Sequence, residues 1–213
     1  MNFFDEKHVL NFFSIINNED IDYILLRNIN NELPQKLSTN KDIDIIVKEN
    51  NLNLFHKTLI KNDWKQIRHP YYRIPFLYGM TPFRFYDKGG LHIDVCCQLS
   101  CRSSNKGEWF PLDMKIQSEL WERIIYTSEA PWKYRLSYED EFLHLITRCI
   151  FDKKEFTEEY IKEIQYLYPK CDENVLFDKF NAVFFKFSDK LLELLKCKFF
   201  DKIIVSFLQF KEY

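Results

Sequence analysis

The stretch Lys41-Asp42-Ile43-Asp44-Ile45-Ile46-Val47 decides how this chain folds and where its chemistry lies. Its β-branched apolar residues predict a strand, although aspartate is depleted from strands. Side chains alternate between the two faces of a strand, so Asp42 and Asp44 share one face while Ile43 and Ile45 share the other. The sequence therefore predicts a strand that is apolar on one face and carries two mutually repelling carboxylates on the other.

A second acidic segment, Leu91-His92-Ile93-Asp94-Val95, follows about fifty residues later. A third carboxylate on a neighbouring strand would worsen the repulsion unless a divalent cation lay among the acids. Carboxylate oxygens from an Asp-x-Asp pair and a lone aspartate are typical ligands of magnesium. We therefore predict that Asp42, Asp44 and Asp94 bind Mg²⁺ or Mn²⁺. His92 shares a face with Asp94, where we expect a packed or hydrogen-bonded ring.

Composition and charge exclude several classes of protein. The chain has 213 residues, enough for one large domain or two small ones, and 46% of them are hydrophobic, which is ample for a packed core. A net charge of −2 gives no argument for binding to nucleic acid or to an anionic membrane. The chain has only four glycines, and neither the P-loop pattern nor the G-x-G-x-x-G pattern occurs. Any phosphate must therefore be bound by side chains and ordinary backbone.

Residues 1–7 lack the apolar segment of a signal peptide, and no apolar run reaches the roughly eighteen residues of a membrane span. We therefore expect a cytoplasmic protein, in which the six cysteines are reduced and buried thiols. The spacing of Cys97 and Cys101 is poor for zinc, because no Cys-x-x-Cys pair accompanies them.

The spacing of apolar residues predicts mixed helices and strands first and helices afterwards. Helices are predicted over 5–17, 51–62, 137–150, 155–168, 173–186 and 188–211, and strands over 23–26, 42–47 and 64–68, with a hairpin over 83–97. The sequence does not fix the length of the hairpin loop. A loop that is longer or shorter by one residue would change whether Arg84 or a phenylalanine faces Asp94. Ser137 is a helix N-cap signal. The aromatic residues predicted to form the core of the C-terminal part are Phe180, Phe184, Phe185 and Phe187.

This order of elements and acids resembles the nucleotidyltransferase superfamily, the group that shares its catalytic core with DNA polymerase β. The residues that carry the resemblance are Leu25-Leu26-Arg27-Asn28, Asp42-Ile43-Asp44 and His92-Ile93-Asp94. In addition, Leu136-Ser137-Tyr138-Glu139-Asp140-Glu141-Phe142-Leu143-His144-Leu145 resembles the helix start that follows the core in an uncharacterised bacterial nucleotidyltransferase-like branch. The resemblance covers residues 22 to about 151.

The resemblance implies an α+β fold, with a mixed β-sheet flanked by helices over 1–135 and an all-helical region over 136–213. It implies metal-dependent transfer of a nucleotidyl or related phosphoryl group from a nucleotide donor to a small acceptor, by analogy in surface-polysaccharide synthesis. In that scheme Asp42, Asp44 and Asp94 are both metal ligands and catalytic residues. Asp94 would also help to deprotonate the attacking hydroxyl.

The sequence departs from this resemblance before the Asp-x-Asp pair. Most active members carry a Gly-Ser or Gly-Gly turn there, which holds the nucleotide phosphates, whereas this chain has Arg27-Asn28. We predict that Arg27, Asn28, Ser38 and Lys41 bind the phosphates instead, Arg27 through its planar fork of donors. The alternative is a donor that is not a triphosphate.

Two other functions stay open at this point. The missing glycine turn favours a non-catalytic module that keeps the fold and binds a nucleotide or a protein partner. The chain could also be the nucleotidyltransferase half of a toxin–antitoxin or phage-defence pair, although a net charge of −2 without a basic run argues against an RNA target. The sequence sets neither the acceptor, nor the base of the donor, nor the oligomeric state.

Overall fold

A computed structural model of the chain describes residues 2–68, 76–103 and 108–211, which form two compact units. The first unit holds Met1–Leu99 and Ile124–Leu136, and the second holds Ser100–Arg123 and Ser137–Tyr213. The chain therefore passes from one unit to the other after Leu99, Arg123 and Leu136, whereas the sequence predicts a single boundary after residue 135. The basic and aromatic segment 68–73 is predicted to be a surface loop rather than a stacking site for a base or sugar, and residues 69–73 of it lie outside the described residues.

Along the described residues nine strands follow one another: β1 (Tyr23–Leu25), β2 (Ile43–Val47), β3 (Lys65–Ile67), β4 (Arg84–Lys88), β5 (Leu91–Cys96), β6 (Ser100–Arg102), β7 (Trp109–Pro111), β8 (Ile125–Tyr126) and β9 (Tyr134–Arg135). Seven of them form one sheet in the order β3-β4-β5-β2-β1-β9-β8. This sheet is mixed, because β2 runs parallel to β5 and antiparallel to β1. The three strands that carry the family resemblance are therefore neighbours. Strands β6 and β7 pair separately in the second unit.

The described residues also form eight α-helices: α1 (Glu6–Asn17), α2 (Leu52–Lys61), α3 (Met114–Leu120), α4 (Tyr138–Thr147), α5 (Glu158–Leu167), α6 (Glu173–Phe184), α7 (Ser188–Lys196) and α8 (Phe200–Gln209). A π-helical segment, Arg148–Lys153, continues α4. The prediction of an α+β fold, in which helices flank a mixed sheet and a helical C-terminal part follows, is confirmed. None of the described helices is long and apolar enough to cross a membrane.

The core of the first unit lies between one face of the sheet and helices α1 and α2. Strands β2 and β5 contribute the apolar halves of their alternating patterns, namely Ile43, Ile45, Val47, Leu91, Ile93 and Val95. Burial of each large apolar side chain contributes about 1.5–3 kcal/mol. Because a shift of one residue would expose all six, this core fixes the register and holds Asp44 and Asp94 on the opposite face.

The β4–β5 hairpin turns through Gly89 and Gly90, which have φ angles of 61° and 87°. A two-residue hairpin turn of this kind needs positive φ at both positions, which glycine adopts without strain. The register pairs Phe85 with Asp94 and Arg84 with Val95. A phenylalanine therefore faces Asp94, which answers the question that the sequence left open.

The C-terminal part departs from prediction at two places. The helix predicted over 188–211 is two helices, because Lys198 adopts a left-handed φ of 57° between α7 and α8. The N–H groups of Lys198 and Phe199 donate to the carbonyls of Leu195 and Leu194, so a Schellman turn ends α7 without glycine. The prediction that Phe185 is a core residue is also wrong: its φ is 51° and its ring is exposed.

A buried ion network organises the second unit around the start of α4. The Ser137 side chain accepts a hydrogen bond from the backbone N–H of Asp140 (3.1 Å) and donates one to its carboxylate (2.7 Å), as an N-cap does. The Lys179 ammonium of α6 lies 2.7 Å from the Asp140 carboxylate and 3.6 Å from that of Glu119 on α3. The Ser-x-Glu-Asp motif therefore ties three helices of this unit together.

Candidate functional site

The parallel pairing of β2 with β5 places Asp44 directly opposite Asp94. Adjacent strands lie roughly 4.8 Å apart, and paired residues point to the same face, so the two carboxylates leave the sheet side by side. Asp42 lies just before β2, two residues from Asp44, and its side chain is exposed. Asp44 therefore lies beside Asp94 on the neighbouring strand and two residues from Asp42 along the chain.

Repulsion among these acids appears in the titration of Asp42. Although Asp42 is exposed as a residue, its carboxyl is partly desolvated by neighbouring groups; this raises its pKa above the usual range, and the negative charge of Asp44 raises it further. The positive charges of His92 and Arg27 act in the opposite direction but do not cancel the shift. The charge of Asp44 thus disfavours ionisation of the Asp42 carboxyl, as expected for two acids two residues apart on one face.

Arg27 is the predicted phosphate-binding residue that the fold brings to the acids. Its guanidinium Nη2 forms an ion pair with Oδ2 of Asp44. The backbone N–H of Leu26 donates to the carbonyl of Asp44 (3.0 Å), which extends the pairing of β1 with β2 and carries Arg27 to this point. Since its charge also lowers the pKa of Asp42, the guanidinium stands near two of the three aspartates.

Two other predicted phosphate ligands, Asn28 and Lys41, are engaged within the loop that joins β1 to β2. The side-chain oxygen of Asn28 accepts a hydrogen bond from the backbone N–H of Leu33 (2.9 Å). The ammonium of Lys41 lies 2.5 Å from the carboxylate of Glu32. These contacts give both side chains a role in shaping the loop.

The fourth predicted phosphate ligand, Ser38, is buried. Its hydroxyl donates to the side-chain oxygen of Asn40 (2.6 Å), and its backbone forms an isolated β-bridge with Phe3. The structure therefore separates the four predicted residues: Arg27 contacts the acids, whereas the other three have partners in the loop or near the N-terminus.

Asp87 joins this face of the sheet, although the sequence placed it in the hairpin loop. It pairs with His92 across β4 and β5, and its carboxylate lies 3.4 Å from Nε2 of the His92 ring. The signal that could have found it is the pair Gly89-Gly90, because a two-residue turn carries β4 as far as Lys88. His92 is thus held from one side by Asp87 while its charge acts on Asp42.

The acids fit a divalent cation by chemistry but not by their present arrangement. Asp44 and Asp94 offer the hard oxygen donors that Mg²⁺ and Mn²⁺ prefer. Within residues 2–68, 76–103 and 108–211, however, no three His, Cys, Asp or Glu side chains are grouped so that they could hold a metal ion. An oxygen of Asp44 is bound to Arg27 instead.

The cysteine next to this site is unsuited to act as a ligand. The Cys96 Sγ lies 3.5 Å from the carbonyl of Ile45 on β2. Burial, helped by the charges of Cys97 and Asp44, raises the pKa of the Cys96 thiol far above its usual range. Since the thiolate is the form that binds metals, Cys96 is a packing residue here.

Comparison with known proteins adds a fold likeness. No protein-family model matches the chain, and no curated protein matches it. Among solved structures, the antibiotic-resistance factor ANT(2'')-Ia, determined in solution, is similar with a TM-score of 0.49 and 8% sequence identity. The match covers 91% of this chain and 95% of that one. A likeness of this size carries no argument about activity, so the case for the site rests on this chain's own strands and side chains.

Proposed function

We propose that this protein transfers a nucleotidyl or related phosphoryl group from a nucleotide donor to a small acceptor, with Mg²⁺ or Mn²⁺ as its cofactor. The observation that supports this proposal is the pairing of Asp44 with Asp94 on parallel central strands, with Asp42 beside them. Burial and the charge of Asp44 raise the pKa of Asp42, and groups perturbed in this way concentrate at functional sites.

Each residue has a specific role in the proposed reaction. Arg27 would hold a donor phosphate through two parallel N–H···O bonds, which its planar guanidinium favours. The acceptor hydroxyl would attack the α-phosphorus of a nucleoside triphosphate, its proton would pass to Asp94, and pyrophosphate would leave. When bound, the cation would neutralise charge on the transferring group.

The acceptor is proposed to be a small hydroxyl compound, such as a sugar phosphate or a polyol phosphate. A role in surface-polysaccharide synthesis rests on the family resemblance alone. The net charge of −2 speaks against a nucleic-acid acceptor, because phosphate contacts dominate such complexes.

A second candidate function is favoured by the ion pair between Arg27 and Asp44. In this alternative the pair is permanent, the acids never take up a cation, and the chain is a non-catalytic module that binds a nucleotide or a protein. The loop contacts of Asn28, Ser38 and Lys41 suit such a module, because they leave fewer side chains for a triphosphate.

Thermal melting with and without cation tests the metal part of the proposal. Mg²⁺ or Mn²⁺ should raise the melting temperature of the native protein, since a ligand that binds only the folded state stabilises it. The double variant Asp42→Asn/Asp44→Asn should respond much less. Asp22→Asn is the matched control, because Asp22 lies before β1 and pairs with Lys48 at the other end of β2. An equal response in all three proteins would contradict a metal site here.

A pyrophosphate-release assay tests the chemical part. The native protein is mixed with Mn²⁺, each nucleoside triphosphate in turn, and a pool of sugar and polyol phosphates. Release that needs both the nucleotide and the pool supports transfer. Nucleotide binding without release across the whole pool would support the non-catalytic module instead.

A further inference from the structure

We infer that the second unit binds a small zwitterion, a molecule with one carboxylate and one ammonium group such as an α-amino acid, in a cavity between helices α3 and α6. This inference goes beyond the proposed function, which concerns the acids of the first unit, and does not depend on it. The observation that carries it is a cavity whose wall offers hydrogen-bond donors and carboxylate acceptors together, with charges that almost cancel.

The cavity is small, and all of its lining residues belong to the second unit. Its volume is about 120 Å³, which holds several waters but is well below the roughly 300–1,000 Å³ of pockets for drug-sized ligands. Its polar wall consists of Lys115, Glu119, Arg123, Asp178 and Lys179, and its apolar wall consists of Ile116, Val175 and Ala182. The cavity therefore suits a molecule much smaller than a nucleotide or a peptide.

Lys179 gives the cavity a buried ammonium with unused hydrogen-bond donors. Its side chain is 3% exposed, and Nζ lies 2.7 Å from Oδ1 of Asp140, which neutralises its charge. An ammonium has three donors, and within residues 2–68, 76–103 and 108–211 no acceptor is aligned with them for a hydrogen bond. Buried donors in native proteins nearly always have an acceptor. The cavity that Lys179 lines can hold one.

Glu119 lies between two ammonium groups without a hydrogen bond to either. Its Oε2 is 3.6 Å from Nζ of Lys179, and its Oε1 is 4.0 Å from Nζ of Lys115. Both distances exceed the length of a hydrogen bond, so this carboxylate can still accept from a ligand. Asp178, one residue before Lys179 on α6, adds a second carboxylate to the wall, and it is exposed. Two such carboxylates favour a ligand ammonium, which has three donors.

Arg123 provides the complementary group for a ligand carboxylate. Its Nη2 lies 3.5 Å from Oε2 of Glu139, whose Oε1 accepts the backbone N–H of Asp172 at 2.9 Å. This long contact uses one of the five donors of the guanidinium, and the side chain is 33% exposed. The planar guanidinium favours a carboxylate bound through two parallel N–H···O bonds.

The charges of the wall decide between a zwitterion and a simple ion. Three cationic and two acidic side chains line the cavity. Their partners Asp140 and Glu139 raise the number of acids to four, so the wall and its partners together carry one net negative charge. A simple anion would enter surroundings that are already slightly negative, and a simple cation would leave Arg123 and Lys179 without a new acceptor. A ligand with both groups contacts the acids and Arg123 and leaves the net charge unchanged.

Three related probes test this distinction. L-Alanine carries both groups, propionate carries only the carboxylate, and ethylamine carries only the ammonium. Binding to the native protein is followed by calorimetry and by the ¹³C-methyl NMR signals of Ile116 and Val175, which line the cavity. L-Alanine should shift both signals and bind at least about 10-fold more tightly than either of the other probes, because each of those lacks one charge-assisted contact.

Variants of the wall test the two halves of the site. Glu119→Gln and Arg123→Gln should each weaken L-alanine binding about 10-fold, since each removes one charged partner of the ligand. Glu193→Gln is the matched control, because Glu193 lies on α7 and pairs with Lys190, and it should keep native affinity. Urea unfolding of each variant confirms that it is folded under the binding conditions.

The outcomes are distinct. If L-alanine leaves both methyl signals unshifted, or if propionate or ethylamine binds as tightly as L-alanine, the zwitterion site is refuted. Native affinity in Glu119→Gln or in Arg123→Gln would refute it as well. These measurements contain neither Mn²⁺ nor nucleotide, so their failure would leave the proposed function of the first unit untouched.

Discussion

Both units of this protein place acids beside a cation, but they use the acids in opposite ways. In the second unit Asp140 and Lys179 lie 2.7 Å apart with side chains 0% and 3% exposed, and Ser137 adds a hydrogen bond to the same carboxylate. In the first unit Arg27 forms an ion pair with Asp44, which lies opposite Asp94 and remains partly exposed to water. The buried pair of Asp140 with Lys179 stabilises the fold, whereas the partly exposed Asp44 is the acid that we propose to act in the site.

The largest effect that we predict from this comparison is on the rate of nucleotidyl transfer. If the protein transfers nucleotidyl groups, Asp44→Asn should reduce the rate by roughly 10³-fold or more, because cation positioning supplies several kcal/mol of transition-state stabilisation. The measurement is pyrophosphate release at saturating nucleotide and Mn²⁺, with Asp22→Asn as the control. Native rates in Asp44→Asn would refute the mechanism.

The next effect concerns the stability of the second unit. Lys179→Met should lower the free energy of unfolding by about 3 kcal/mol, because it leaves the Asp140 carboxylate buried without its cation. Urea unfolding measures this loss. Mn²⁺ binding by the proposed site in the first unit should not change. The double variant Lys179→Met/Asp140→Leu should recover much of the stability, since an apolar replacement of both partners leaves no unpaired charge. Equal losses in the single and double variants would show that packing, rather than charge, causes the effect.

A smaller effect is expected from the cap that opens α4. Ser137→Ala should cost about 1 kcal/mol of stability, since it removes a side-chain acceptor from the first turn of the helix. Ser137→Thr retains the hydroxyl and serves as the matched control in the same urea experiment. A loss smaller than the error of the measurement would mean that water accepts the hydrogen bond from the backbone N–H of Asp140 in place of Ser137.

The smallest effect lies in the pH dependence of stability. The pKa of Asp42 is raised in the folded state, so the folded protein holds its proton to higher pH than the unfolded chain, whose value is about 3.9. The contribution of the protonated Asp42 carboxyl to the free energy of unfolding is present at low pH. It is lost as the pH rises through the pKa of Asp42 in the folded state. Asp42→Asn should therefore unfold at a slightly higher urea concentration than the native protein near pH 7. Its free energy of unfolding should rise by no more than roughly 0.5 kcal/mol, because water screens the exposed side chain.

The same measurement at low pH tests whether the raised pKa of Asp42 causes this difference in stability. Near pH 3 and below, roughly one unit under the unfolded pKa, the native protein and Asp42→Asn should have nearly the same stability, because Asp42 is then largely protonated in both the folded and the unfolded states. A difference that persists at low pH would arise from packing of the amide instead.

The sequence was sufficient where one physical constraint dominates. Ile43 and Ile45 had to face a core, so Asp42 and Asp44 had to share the opposite face, and the register across β2 and β5 then followed. The cap at Ser137 was equally local, because the serine accepts from the backbone three residues ahead. In both cases the deciding contacts are set by the alternation of a strand or the first turn of a helix.

The sequence was insufficient where several partners compete for one side chain. Arg27, Asn28, Ser38 and Lys41 are all plausible phosphate ligands by type, and only the folded loop shows that Glu32 takes Lys41. No local pattern encodes which of several oxygens a flexible cation will choose, since the alternatives differ by about 1 kcal/mol or less.

Breaks in regular structure were missed for a different reason. No glycine or proline near Lys198 indicates that a helix ends there, yet the backbone of Lys198 adopts the left-handed conformation. Strands β6, β7, β8 and β9 are two or three residues long, too short for an alternating pattern to emerge. Helix α3 lies in a stretch for which the sequence analysis predicted no helix.

The parallel pairing of Asp44 with Asp94 also has a kinetic consequence. The two residues are far apart along the chain, and the segment between them contains α2, β3 and β4. Contacts of such long range form late in folding, because the entropy of closing the loop must be overcome first. A cation that needs both carboxylates would therefore ignore nascent and partly unfolded chains, and its binding would report that the central sheet is complete.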